Sequence, residues 1–349
     1  MKRPTPKMLV AGGVALLSLA LFGVALFSLL RDRGDGGLST VEGPTVPSEP
    51  TLDRFDYDRR LARLAHMDVG TGTDEGKLWP AESVYPEYGA ILPFKRIVAY
   101  YGNFYSRGMG VLGEYVEETM LEMLAREVAA WEEADPETPV QPAIDYIAVV
   151  AQAGAGRDGK YRLRMPDKEI DKAIAMAEKI DGIVILEVQS GLADLQGEIK
   201  ALEKYLVLPQ VHLAIDPEFN MKYGGLPGQR VGSVDATDVN AAIGYLSGLV
   251  QAGGLPPKVL IVHRYTRPMV TNATGIEPTP EVQVVMDMDG WGPPWQKFGS
   301  YNSYIVPYPV QFTGFKIFYK NDRLNYGLPV LTPAEILDLT PQPVFIQYQ

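Results

Sequence analysis

The sequence contains no cysteine and only three histidines among its 349 residues. Without cysteine the chain cannot form disulfides, thiolate metal sites, catalytic thiols or a lipidated cysteine anchor. The histidines, His66, His212 and His263, are scattered along the chain, which argues against a histidine-rich zinc site. We therefore expect no cofactor, and the stability of the fold must come from its hydrophobic core.

A basic tract is also absent beyond the N-terminal flank, and the net charge is −11. Nucleic-acid binding draws on clustered lysine and arginine, so the composition argues against a nucleic-acid partner and favours an uncharged one. The hydrophobic content of 46% over this length is enough for one large domain or two ordinary ones.

One long hydrophobic run is present at residues 8–30, "MLVAGGVALLSLALFGVALFSLL". At about 1.5 Å per residue it crosses a hydrocarbon core of about 30 Å, and it exceeds the roughly 7 to 15 apolar residues of a cleaved signal peptide. We therefore predict a signal anchor over residues 1–30. Lys2, Arg3 and Lys7 place its N-terminus in the cytoplasm, with the rest of the chain outside, membrane-bound or secreted if the anchor is cleaved.

Composition divides the remaining chain into three parts. Residues 31–50, "RDRGDGGLSTVEGPTVPSEP", are rich in glycine, proline and charge and predict a disordered linker. Residues 97–349 alternate short β-branched runs with segments of helical period, the pattern of a (β/α)8 TIM-type barrel of the α/β class. Residues 51–96 form an N-terminal extension packing on the barrel, and "DRFDYDRRLARLAHM" within it is expected to supply the missing outer helix.

Eight strands are predicted, which is the number that closes such a barrel. Each is a short apolar run that ends near a polar residue or a turn. They are RIVAYYG (96–102), DYIAVVAQ (145–152), GIVILEVQ (182–189), VHLAID (211–216), KVLIVHRY (258–265), VQVVMDMD (282–289), GFKIFYKN (314–321) and PVFIQYQ (343–349).

Alternation along each strand separates an apolar face, suited to helix packing, from a face that becomes polar at its C-terminal end. On the third strand, for example, Val184, Leu186 and Val188 oppose Glu187 and Gln189. Barrel active sites lie at the C-terminal ends of the strands, so we predict a site there. The polar face comprises Tyr101, Gln152, Glu187, Gln189, Asp216, His263, Tyr265, Asp287, Asp289, Tyr319 and Asn321.

Two pairs of carboxylates stand out in this set. Asp216 and Glu218 follow the fourth strand, and Asp287 and Asp289 end the sixth. Two carboxylates that face one pocket are what glycosidic bond cleavage requires. We expect Asp216 to be the nucleophile or transition-state stabiliser and Asp287 or Asp289 the acid/base, with the choice between Asp216 and Glu218 open.

These acids make the chain resemble the glycoside-hydrolase barrels, most of all those of the α-galactosidase kind, whose acids follow strands four and six. The resemblance implies a membrane-anchored hydrolase of an envelope or extracellular polysaccharide. The chain departs from two other kinds of glycosidase barrel. One kind carries a Glu after strand four and another after strand seven, whereas strand seven here ends "FYKND" and offers only Asp322. Chitinase-type barrels carry a spaced run of acids on strand four, of which "AIDPEF" is only a fragment.

Substrate contacts are expected from the remaining polar set and from aromatic residues after the sixth strand. Trp291 and Trp295 offer flat faces for the C–H faces of sugars. Glu187, Gln189 and His263 would hold sugar hydroxyls or tune the acids, alongside Tyr101, Gln152, Tyr265 and Tyr319.

Two other functions fit the same residues. A carbohydrate-binding barrel would keep the aromatic residues and need no proton donor. A metal-dependent ester or phosphoester hydrolase would need Asp216, Glu218, Asp287 and Asp289 to converge on one Ca²⁺ or Mg²⁺ ion. The geometry of the four acids distinguishes these alternatives.

Overall fold

Eight parallel strands close into a barrel in the computed structural model, which describes residues 51–67, 77–324 and 327–349. Each strand pairs with its neighbours in chain order, and the first pairs with both the second and the last. The predicted (β/α)8 TIM-type fold is confirmed. The strands are β1 Arg96–Gly102, β2 Val140–Ala151, β3 Ile183–Val188, β4 Val211–Ile215, β5 Lys258–Arg264, β6 Val282–Met288, β7 Phe312–Ile317 and β8 Phe345–Tyr348.

All eight predicted strands are present, and the largest boundary differences are on β2 and β7. β2 begins at Val140, well before the predicted Asp145, and it contains a bulge between Ile147 and Val149. β7 spans Phe312–Ile317 rather than the predicted 314–321. The bulge in β2 also changes which of its side chains enter the barrel.

Helices surround most of the barrel. Three short strands lie outside it: Arg162–Arg164 pairs with β2, and Val234–Asp235 pairs with Val270–Thr271. The connection from β5 to β6, which the structure describes in full, contains two 3-10 turns and the short strand Val270–Thr271 instead of an α-helix. The helices are α1 Arg54–Leu64, α2 Val111–Glu114, α3 Glu117–Ala134, α4 Asp167–Glu178, α5 Leu195–Lys200, α6 Glu203–Leu206, α7 Ala236–Gly253, α8 Pro294–Tyr304 and α9 Pro333–Leu337.

Helix α7 shows how local sequence defines these outer elements. Asp235 and Asp238 form a capping box at its start, which satisfies backbone N–H groups of the first turn. Its apolar face includes Val239, Ile243 and Val250, all buried against the barrel. Gly254 ends the helix in the left-handed conformation, with φ of 57°.

The N-terminal extension covers the amino-terminal end of the barrel. Tyr57 and Leu64 of α1 and Leu92 pack against inward side chains of the strands. The Leu92 backbone N–H donates to Gln283 Oε1 at 3.0 Å, and Gln283 Nε2 donates to the Leu92 carbonyl at 2.6 Å. The prediction that α1 supplies the missing outer helix is therefore wrong, because the apolar face of α1 covers the barrel interior. On the outside of the barrel, α3 packs against α9.

The predicted anchor over residues 1–30 and the linker over residues 31–50 lie outside the described residues. Within the part of the chain that the structure describes, no helix combines the length and apolar character needed to cross a bilayer. Both N-terminal assignments stay predictions from the sequence.

Candidate active site

His263 is the centre of a buried network at the C-terminal half of the barrel interior. Its Nε2 lies 3.0 Å from Glu187 Oε2, and its Nδ1 lies 2.9 Å from Asp287 Oδ2. Burial opposes the charged imidazolium, but the hydrogen bonds to Asp287 and Glu187 raise the pKa of His263 well above its ordinary value. A protonated His263 thus bridges carboxylates of β3 and β6.

The two carboxylates respond differently to this histidine. Burial alone would raise the pKa of Glu187, but the charge and hydrogen bond of His263 lower it below the ordinary value. Burial raises the pKa of Asp287, and His263 offsets that effect only in part. Glu187 is thus the more firmly ionised of the pair.

Gln189 connects the network to the first and fourth strands. Its Nε2 lies 3.1 Å from Glu187 Oε1, 3.2 Å from the Tyr101 hydroxyl and 3.3 Å from Asp216 Oδ2. The Tyr101 hydroxyl in turn donates to Glu187 Oε1 at 3.1 Å. The structure thereby brings together Tyr101, Glu187, Gln189, Asp216, His263 and Asp287, as the alternation along the strands predicts.

Lys316 on β7 belongs to the network and was missed by the sequence analysis. Its Nζ lies 3.0 Å from Asp289 Oδ1 and 4.0 Å from the centroid of the Tyr101 ring. Burial opposes its charge, yet the carboxylates of Asp289 and Glu187 raise the pKa of Lys316 above its ordinary value. The site therefore contains a second buried cation besides His263.

The missed lysine reflects an error of one residue in the assignment of the β7 faces. A Cβ on Gly314 would lie 2.5 Å from Asp287 Oδ1, so Gly314 faces the interior, and Lys316 follows on the same face. Phe315 and Ile317 belong to the outer apolar cluster. These two residues are the signal that could have assigned the faces correctly.

Tyr319 consequently lies outside the barrel interior, and its predicted inward placement is wrong. Its ring stacks on Tyr348 with centroids 5.3 Å apart, and its hydroxyl lies 3.0 Å from that of Tyr100. The hydroxyl also donates to Glu127 Oε1 of α3 at 2.5 Å. Tyr319 therefore belongs to an aromatic cluster between β7, β8 and α3.

Gln152 follows the end of β2, where its backbone N–H donates to the Tyr161 carbonyl, and it does not belong to the described lining of the cavity at the barrel mouth. Its predicted contact with substrate stays a prediction. Asp145 enters the barrel interior and is completely buried. The sequence placed Asp145 on the opposite face because the bulge interrupts the simple alternation.

Asp145 pairs with Gln347 of β8, another residue that the sequence analysis missed. Gln347 Nε2 donates to Asp145 Oδ2 at 2.5 Å, whereas Asp145 Oδ1 and Gln347 Oε1 have no hydrogen-bond partner among the described residues. Burial and the nearby Glu187 raise the pKa of Asp145 well above its ordinary value.

A cavity of about 720 Å³ opens above this network at the C-terminal mouth of the barrel. Three of the four predicted acids line it, but Asp287 does not belong to its described lining. Asp287 is fully buried beside His263 and Gly314, so its predicted role as a substrate acid is not supported by its position. The lining includes Tyr101, Gln189, Asp216, Glu218, Tyr265, Asp289, Trp291, Lys316 and Asn321.

The predicted aromatic platform is divided between two environments. Trp291 lines the cavity and is half exposed, as expected for a rim residue. Trp295 is exposed on α8 and does not belong to the described lining. Only Trp291 is therefore placed where it could contact a molecule inside the cavity.

Asp216 and Glu218 differ in how they are held. Asp216 is 3% exposed, and its Oδ1 accepts a hydrogen bond from the Glu218 backbone N–H at 2.9 Å, which caps the 3-10 turn Pro217–Phe219. Glu218 is only partly buried and interacts with Tyr265. Burial and repulsion from Asp289 raise the pKa of Glu218, whereas burial and Glu187 raise that of Asp216. Glu218 is thus the more accessible of two weakly acidic carboxyl groups.

The four acids considered for a metal do not share one partner. Asp289 pairs with Lys316 and Asp287 with His263, while Asp216 accepts from Gln189. A different group, Asp145, Glu187 and His263, has ligand atoms within 4.8 Å of one another. Both ring nitrogens of His263 already contact carboxylates, so an ion bound there would have to displace one of these contacts.

No protein-family model matches this chain, and no curated protein does. Among solved structures, the chain is similar to a sugar phosphate isomerase/epimerase from Parabacteroides distasonis ATCC 8503. The identity is 10% and the TM-score 0.32, with 73% of this chain and 86% of that chain covered. A likeness of this strength carries no argument about activity, and the barrel assignment rests on the strand pairing described above.

Proposed function

We propose that this protein hydrolyses glycosidic bonds, with Glu218 as the general acid and Asp289 as the second carboxylate. The observation that carries this proposal is that these two side chains line one cavity in contrasting environments. Glu218 has its pKa raised by burial and by Asp289, whereas Asp289 forms an ion pair with Lys316 at 3.0 Å. Two carboxyl groups whose environments differ in this way are what acid/base cleavage of a glycoside needs.

In the proposed reaction, protonated Glu218 donates its proton to the glycosidic oxygen as the bond to the anomeric carbon breaks. Asp289 either attacks the anomeric carbon or takes a proton from a water molecule that does so. If Asp289 has bonded to the anomeric carbon, ionised Glu218 takes a proton from the water that attacks this carbon, and the bond to Asp289 breaks as the product is released. If Asp289 has acted as the base, it releases its proton to solvent and Glu218 takes one up from solvent.

The buried network supports these two groups from below. Lys316 contacts Asp289 and the Tyr101 ring, while His263 Nδ1 lies 3.8 Å from Asp289 Oδ2. Two cations therefore face Asp289, which orients it and offsets the negative charge of its neighbours. Asp216 fixes the backbone of Glu218, so we assign it a positioning role in place of the nucleophilic role that the sequence suggested.

An adjoining cavity supports a polymeric substrate. A space of about 380 Å³ beside the first cavity has Tyr319 and Tyr115 in its lining. The two cavities share Gly108, Phe318, Asn321 and Gln349, which makes them neighbouring parts of one groove. Together with the predicted anchor, this favours an envelope or extracellular polysaccharide as the substrate, with the barrel outside the cell.

The test is hydrolysis of a polysaccharide panel by the wild-type protein and by Glu218→Gln and Asp289→Asn. General acid/base groups contribute about 10²- to 10⁴-fold, so each variant should lose activity in that range. Glu218→Gln should recover most of its rate on an aryl glycoside whose leaving group needs no protonation, whereas Asp289→Asn should not. Asp216→Asn serves as the matched variant and should lose less.

The result also separates the rival functions. Hydrolysis by both variants at the wild-type rate would contradict the mechanism. Saturable binding of a glycan without any hydrolysis would instead favour the carbohydrate-binding barrel. Activity that is lost on chelation and restored by Ca²⁺ or Mg²⁺ would favour the metal-dependent hydrolase.

A further inference from the structure

A buried arginine on the outer side of β5, Arg264, has no carboxylate partner among the residues that the structure describes. Arg264 is only 1% exposed, and its Nη1 has no hydrogen-bond partner among the described residues. The described groups that act on its charge are Tyr308 and Arg267, neither of them a carboxylate. Burying an unpaired guanidinium costs free energy, so a compensating negative charge is expected nearby.

The contacts that Arg264 does make fix its orientation without neutralising it. Its Nε donates to the Thr266 carbonyl at 3.4 Å and its Nη2 to the Arg267 carbonyl at 3.1 Å. The Tyr308 ring lies 4.3 Å from its Cζ, a distance that suits a cation–π contact. Burial lowers the pKa of Arg264.

Arg264 lines a cavity of about 500 Å³ on this outer side. Arg267 also lines the cavity and is exposed, so two guanidinium groups of like charge border one space. The charge of Arg267 further lowers the pKa of Arg264. Thr271, Asn272, Thr274 and Tyr308 supply the polar part of the rim.

Asp235 is a carboxylate that contacts this rim, and its described hydrogen bonds go to side chains other than Arg264. It accepts from Thr271 Oγ1 at 2.6 Å and from Asn272 Nδ2 at 2.7 Å. It also accepts from the Thr237 backbone N–H at the start of α7. Asp235 therefore holds the rim side chains in place and forms no ion pair with Arg264 among the described contacts.

We propose that this cavity is an oxyanion-binding site for a phosphate or sulfate group held by Arg264 and Arg267. Guanidinium groups present planar pairs of N–H donors that match tetrahedral oxyanions, and the orientation of Arg264 is already fixed. The cavity exceeds the size of a free ion, so it can also take an oxyanion that belongs to a larger molecule, such as a sulfated sugar or a phosphoglycerol headgroup.

This site is separate from the candidate active site and does not rest on the proposed hydrolase function. His263 and Tyr265 face the barrel interior or its mouth, whereas Arg264 between them points away from it. Failure of the hydrolase proposal would leave the oxyanion site untouched, and the two are measured by different assays.

The test is titration calorimetry on the full chain in a neutral detergent. The probes are inorganic phosphate, inorganic sulfate, glycerol phosphate and a sulfated oligosaccharide, each compared with sodium chloride at equal ionic strength. We expect saturable binding of at least one probe. Arg267→Ala should weaken it about tenfold or more because one charge-assisted hydrogen bond is lost. Arg264→Lys should also weaken it, since lysine lacks the planar fork.

Arg157→Ala is the matched control, because Arg157 is an exposed arginine in the loop after β2 and should leave binding unchanged. If Arg264→Lys does not fold, Arg267→Ala alone decides the result. Binding of no probe above the chloride control, or equal binding by wild type and Arg267→Ala, overturns the proposal. Tighter binding of the oligosaccharide or of glycerol phosphate than of the inorganic ions identifies the larger molecule that carries the oxyanion.

Discussion

The two halves of the barrel interior are built from the same strand faces but have opposite chemistry. On β5, Val259 and Ile261 are apolar and belong to the amino-terminal half, whereas His263, about 7 Å further along, is the centre of the ionic network. On β3, Ile185 precedes Glu187 in the same way. Two residues along one strand are thus enough to pass from the apolar cluster to the charged network.

The amino-terminal half of the interior stabilises the fold, and the carboxyl-terminal half holds the groups that we propose to react. The apolar half is covered by α1 and Leu92, and its hydrophobic side chains pack against one another in one cluster. In the ionic half, each charge is compensated mainly by its neighbours, so the removal of one leaves others buried without a partner. The same substitution in the two halves should therefore have very different effects.

The largest effect is expected for His263→Leu. This change leaves Glu187 and Asp287 without their shared cation, and breaking a buried charge pair from one side costs about 3–5 kcal/mol. The free energy of unfolding should fall by that amount in a urea titration at neutral pH.

Ile261→Val is the matched control on the same face of the same strand. It removes one methylene from the apolar half and should cost about 0.5–1.5 kcal/mol. A cost of His263→Leu no greater than that of Ile261→Val would contradict the division of the interior into two halves.

The next largest effect is expected for Lys316→Met. Asp289 loses its counter-ion and its fixed orientation, and a small misplacement of a reacting group can lower kcat/KM by about 10²-fold. The measurement is kcat/KM on the polysaccharide that the wild type cleaves. Lys95→Met is the control, because the Lys95 ammonium donates to Gln141 Oε1 at the amino-terminal end of the barrel, away from the cavity, and the change should leave kcat/KM unchanged. Equal kcat/KM for both variants would exclude Lys316 from the reaction.

The strands and most of the interior face could be predicted from the sequence because side-chain alternation is a local property. The apolar residues Leu186 and Val188 mark one face of β3 without any knowledge of the neighbouring strands. For the same reason, His263 and Glu187 were assigned to the correct face. Their contact with each other needs only the further rule that parallel strand ends meet at one mouth.

The rest depended on contacts between distant residues. The inward position of Gly314 becomes evident from its contact with Asp287, and Lys316 follows from it. The bulge in β2 is a feature of its pairing with β3, so the local pattern misplaced Asp145. The ion pairs also form between different strands, and the spacing of residues within one strand does not predict them.

The smallest effect, and the most specific, is expected for Asp145→Asn. Because burial raises the pKa of Asp145, the folded protein keeps a proton that the unfolded chain releases above about pH 4. Wild-type stability should therefore fall as the pH rises from that value to the pKa of the folded state, by at most about 1.4 kcal/mol per pH unit from this group. Asparagine can keep the hydrogen bond that Gln347 Nε2 donates and carries no proton to lose, so the two proteins should be nearly equally stable near pH 4, and the variant should become the more stable one above it. Unfolding titrations at several pH values measure this difference, with Glu122→Gln on the exposed face of α3 as the control that should show a constant offset. A difference between Asp145→Asn and wild type that does not grow with pH would mean that Asp145 is ionised in the folded protein and that the buried negative charge is compensated in another way.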